Sequence, residues 1–137
     1  MGKFYGLIIS DKKPNDKMFD FLNRYSNEKF DSEFEIDFHN PDYQFDYYVI
    51  GDMYEKNYII TKNGEKVNSE IISNIDFEKC IFNLVNNLYC IVDKYHWYDF
   101  ESIKFSLGIK NDIEAFKEIL SSIKDRNKVL TIATFHC

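Results

Sequence analysis

The chain has 137 residues, 45% of them apolar and 18% aromatic, with a net charge of −6. That length and ring content exclude a disordered chain and predict one globular domain over residues 1–137, large enough to bury about two-thirds of its unfolded surface. The acidic balance argues against nucleic acid or an anionic membrane as partner, and no apolar run approaches the length of a membrane span.

The opening MGKFYGLIIS has too short an apolar run for a signal peptide, and Gly6 stands where a myristoylation motif needs Ser or Thr, so a cytoplasmic location is expected. Phe4 to Ser10 is apolar and rich in β-branched residues, which predicts a first strand ending in a loop at Pro14. Asn15 or Asp16 is placed to cap a helix through about Ser26, with Met18, Phe19, Phe21, Leu22 and Tyr25 on its inner face.

Residues 30–39 read FDSEFEIDFH. Phe30, Phe34, Ile36 and Phe38 share one parity; Asp31, Glu33, Glu35 and Asp37 share the other, which is the period of a half-buried strand. Same-face residues repeat every ~6.6 Å, so the four acids would form a stripe about 20 Å long. Residues 28–55 hold nine carboxylates against Lys29, a net −8, while the rest of the chain sums to +2. The acidity belongs to one contiguous fifth of the chain and would steer a basic partner toward it.

After Pro41, FDYYVIGD at 45–52 predicts a strand partnered by NYIITK at 57–62, with Asn63-Gly64 turning the chain back into EKVN. The middle therefore reads as an antiparallel meander whose first strand is the acidic one. Asp76 caps an expected long helix from Phe77 to Tyr95, which would carry both Cys80 and Cys90 about 15 Å apart, beyond disulfide reach. With Cys137 the thiols are odd in number and match no CxxC pattern, so they read as free thiols of a reducing compartment. SIKFSLGI at 102–109 alternates like a strand, and Asn111 or Asp112 caps a helix to about Arg126. VLTIATF at 129–135 is apolar or β-branched on both parities, which predicts a central strand. Mixed strands and helices give an α+β domain: a largely antiparallel sheet packed on one face by three helices.

No phosphate-binding glycine motif, GxSxG or HExxH occurs, and His39, His96 and His136 share no ligand spacing. An EF-hand starting at Asp31 fails at Ile36 and Asp42. A metal nuclease starting at Pro41-Asp42 lacks its downstream acid-x-Lys. Neither a cofactor nor a metal is expected, and carboxylate pairs of the glycosidase kind are too common in an acidic chain to signal catalysis. What stands out is carboxylates interleaved with tyrosines. Tyr supplies rigid contact area and carboxylates pair with Arg and Lys, so the expected partner-binding face is Asp31, Glu33, Glu35 and Asp37 with Asp42, Tyr43, Asp46, Tyr48, Asp52 and Glu55. The competing reading is a solvated face that keeps a sheet from aggregating.

In its acidity, size, free thiols and lack of a catalytic motif, the chain resembles the small cytoplasmic immunity proteins of bacterial polymorphic-toxin and contact-dependent inhibition systems. The abundance of Lys, Asn, Ile, Phe and Tyr, with Ala only at 115 and 133, suggests an AT-rich bacterial genome. The resemblance implies one-to-one neutralisation of a cognate basic toxin such as a nuclease, with carboxylates standing where phosphates would bind, and no enzymatic activity. An adaptor subunit of another bacterial complex and a small carboxylate-dependent hydrolase are the alternatives.

Overall fold

The computed structural model describes residues 2–14, 19–26, 42–52 and 55–137. Its principal sheet is built from β1 (Lys3–Ser10), β2 (Tyr47–Ile50), β5 (Ser69–Ile71), β6 (Leu88–Val92), β7 (Trp97–Asp99) and β8 (Val129–His136), while β3 (Ile59–Ile60) and β4 (Lys66–Val67) form a separate hairpin. The helices are α1 (Phe77–Val85), α2 (Phe100–Leu107) and α3 (Asp112–Ser122), with 3-10 turns at Asp20–Tyr25 and Ile72–Asn74. The architecture is α+β.

The sheet runs β2-β8-β1-β6-β7, and β5 shares the outer edge of β8 with β2. β2 lies opposite residues 133–136 of β8 and β5 opposite 129–131. All ladders are antiparallel except β1 with β6. β8 is central, as its two apolar parities predict, and all eight of its residues are buried.

The helices pack on one face, where Leu7, Leu130 and Ile132 meet Leu84, Phe100 and Phe116. The other face is covered too: Ile8, Ala133 and Phe135 pack against Phe19, Leu22, Tyr25 and Phe45. The Phe135 ring lies 5.0 Å from Phe45 and 5.2 Å from Trp97, contacts each worth about 0.5–1.5 kcal/mol beyond their area. Gly6 is required between β6 and β8, because a Cβ there would fall 2.5 Å from Cys90 Sγ and 2.8 Å from Phe135 Cε2.

Several sequence expectations are corrected. The long helix ends at Val85, where Asn86 and the left-handed Asn87 (φ 59°) turn the chain into strand β6. Cys80 and Cys90 therefore lie on different elements, both buried and free. The alternating 102–109 stretch is helix α2: Phe100 and Ile103 face inward, Gly108 closes the helix by donating to the Lys104 and Phe105 carbonyls, and Phe105 is left 90% exposed. β2 does not pair with 57–62. Gly51, in the left-handed region at φ 101°, turns the chain off the sheet, and the predicted meander reduces to the β3-β4 hairpin around Asn63-Gly64. The expected helix to Ser26 is a 3-10 turn over its described part, and residues 15–18 lie outside the description. No described helix is long and apolar enough to cross a membrane.

Candidate functional site

The acidic stretch with Asp31, Glu33, Glu35 and Asp37 lies outside the described residues. The described residues on either side of it are tied together. Ser26 and Phe45 form a parallel β-bridge, and the Gln44 and Phe45 N–H groups donate to the Tyr25 carbonyl at 2.8 and 3.3 Å. The Ser26 hydroxyl donates to the Asp46 carbonyl oxygen at 3.0 Å, and the Asp46 N–H donates to the His136 carbonyl at 2.7 Å. The chain thus leaves and re-enters at one margin of the sheet, beside the end of β8. Residues 27–41 carry five carboxylates and one lysine between those anchors.

The described part of that margin gathers Asp42, Tyr43 and Asp46. The Tyr43 hydroxyl donates to Asp46 Oδ1 at 2.7 Å; burial first, and this hydrogen bond second, push its pKa up to about 12. Tyr43 therefore stays a neutral donor that orients the Asp46 carboxylate. Arg24, which no sequence pattern singled out, lies beside Asp42 with Nε 3.7 Å from Oδ2, so part of the acidic charge already has a cation next to it.

The sequence parity named Tyr48, but the structure turns Tyr48 and Ile50 toward the second core. Tyr48 packs on Phe45 and Phe135, and its hydroxyl accepts from the Phe19 N–H at 2.9 Å, a positioning role. The opposite parity is the exposed one. Tyr47 is 54% exposed and stacks on His136 at 4.2 Å, with Val49 beside it. No described strand pairs the outer edge of β2. Exposed aromatic side chains on an unpaired edge are the usual footing for a protein partner.

Asp52 and Glu55 belong to the far end of β2. Asp52 Oδ2 accepts from the Lys56 and Asn57 N–H groups at 2.7 and 2.6 Å, and Glu55 sits in a left-handed turn at φ 55°. Asn57 then reaches the end of α1, donating to the Asn83 and Asn86 carbonyls at 2.7 and 3.0 Å. This loop fixes the C-terminus of α1, which a composition argument could not separate from an acidic contact surface. Among the described residues no group of three His, Cys, Asp or Glu side chains is placed to hold a metal ion. No family model, no curated protein and no solved structure matches the chain.

Proposed function

We propose that the chain is a cytoplasmic immunity protein that binds and neutralises a cognate basic toxin, such as a nuclease, through the acidic margin and edge strand β2. The observation that carries this reading is the Ser26–Phe45 bridge, which joins the described residues flanking the acidic stretch at the margin holding Asp42, Tyr43, Asp46 and Tyr47. A cleft built for phosphates is blocked by carboxylates presented in their place, and opposite charge speeds encounter. Tyr47 and Tyr43 supply rigid anchors beside them. In this role the chain needs no catalytic group of its own.

The test is co-expression. The product of the gene preceding this one is expressed in a host with and without the chain, and growth is followed. Toxicity relieved by this chain supports the proposal. A neighbour that is harmless, or whose toxicity the chain leaves unchanged, contradicts it.

A further inference from the structure

We propose that the cleft at the carboxyl ends of the parallel strands β1 and β6, with the apolar groove that continues from it along α2 and α3, binds a monomeric amphiphilic anion, an alkyl chain bearing a carboxylate or phosphate head. The cleft has a volume of about 490 Å³, and its mouth carries Lys12, Lys13, Lys94 and Lys128 beside Phe19 and Phe21. The groove is about 440 Å³ and is lined by Ile91, Tyr98, Ile103, Leu107 and Ile119, with Glu118, Ser121 and Ser122 beside them. Ile9, Asp93 and Ile123 line both, so the lysine mouth opens directly into the aliphatic groove. Both volumes fall in the range of small-molecule sites, and the ends of parallel strands are where open sheets commonly place them.

Four lysines line the cleft against Asp11, Asp20 and Asp93, an excess of one positive charge. Asp93 Oδ1 accepts from the Tyr95 and His96 N–H groups, both at 2.8 Å, and so serves the turn after β6. Asp11 lies between Lys128, which donates to its Oδ1, and Lys94, 3.9 Å from its Oδ2. Lys13 reaches Glu70 at 3.5 Å, and Asp20 also lines the cleft. Asp11 is thus a carboxylate already seated between two ammonium groups, in exposed pairs that are individually weak. An incoming anionic head takes its place, and the tail removes half-buried isoleucines from water. A head without a tail leaves the groove unused; a tail without a head leaves the lysines unused.

The experiment is calorimetric titration of the full chain with decanoate and decyl phosphate below their micellar concentrations, with inorganic phosphate and decanol as controls. Saturable one-site binding of an amphiphile, about tenfold or more tighter than either control, is expected. The Lys94→Gln/Lys128→Gln variant should weaken it about tenfold, and Leu107→Gln should weaken it as well. Asp11→Asn should tighten it, a sign that a merely structural role of Asp11 does not produce. Melting temperatures within a few degrees of wild type establish that the variants are folded. No saturable binding, equal binding of decanol, affinity unchanged in the double lysine variant, or binding only to phosphatidylglycerol vesicles would each overturn the proposal.

Discussion

Ser26 and Phe45 are bridge partners, although six of the nine carboxylates of the acidic block lie between them in the chain. The bridge brings the described residues on either side of that stretch to one margin of the sheet, next to Tyr43 and Tyr47.

Reversing two charges of the stretch, Asp31→Lys with Glu35→Lys, should weaken partner binding about tenfold or more while leaving the melting temperature within a few degrees. Surface plasmon resonance at two salt concentrations reads both the affinity and its salt dependence. Unchanged affinity would remove these residues from the contact.

Gly6→Ala should destabilise the fold by about 1–3 kcal/mol, because the added methyl meets Cys90 Sγ on one side and the Phe135 ring on the other. Urea denaturation measures the loss. Adding Cys90→Ala should recover part of it, since the closest contact is then gone; a double variant less stable than the sum of its singles would contradict this packing.

Alkaline and acid limbs of stability have different owners. Burial raises the Cys90 thiol and the Tyr5 phenol well above their ordinary values of 9.0 and 10.0, with Asp99 adding to the first and Asp52 to the second. The folded state keeps these protons where the unfolded chain releases them, so their contribution is complete below about pH 9 and is lost as pH rises further. Tyr5→Phe should start lower, because the Leu84 carbonyl loses its donor, yet decline less steeply. His136 moves the other way: burial, then the nearby Lys3, lower it from 6.5, and its Nε2 has no hydrogen-bond partner among the described residues. Its contribution is present above pH 6.5 and is lost as pH falls through the lowered value. Melting curves from pH 5 to 11.5 for wild type, Tyr5→Phe and His136→Phe separate the two limbs; a His136→Phe curve as steep as wild type below pH 6.5 would exclude the imidazole.

Asn57→Leu should cost about 1–3 kcal/mol, since it strips the Asn83 and Asn86 carbonyls of a buried donor. Urea denaturation measures this as well. An effect near zero would mean that water replaces the amide without loss.

Much of the fold was legible because its signals are local. The two-sided apolar run of β8, the Asp76 and Asn111 caps and the Asn63-Gly64 turn are each written in a few neighbouring residues, and each appears where its pattern places it. Periodicity failed where it was ambiguous. Ile103, Phe105, Leu107 and Ile109 alternate like a strand, but Phe100, Ile103 and Leu107 also follow helical steps, and the inward anchor at Phe100 decided between them. Asn86-Asn87 was the available signal that the helix stops and β6 begins. At the site, charge and Tyr content named Tyr43 and Asp46, which meet at one margin, but not which side of β2 is exposed. The stack of Tyr47 on His136 and the approach of Arg24 to Asp42 join residues far apart in the chain, and no local pattern announces them.

The most direct measurement is capture of binding proteins from the native organism on this chain, washed at low and at high salt and identified by mass spectrometry. One basic partner is expected, encoded beside this chain's own gene and lost or weakened at high salt. A partner that is acidic, or one that stays bound equally at both salts, would contradict an acidic margin as the binding surface.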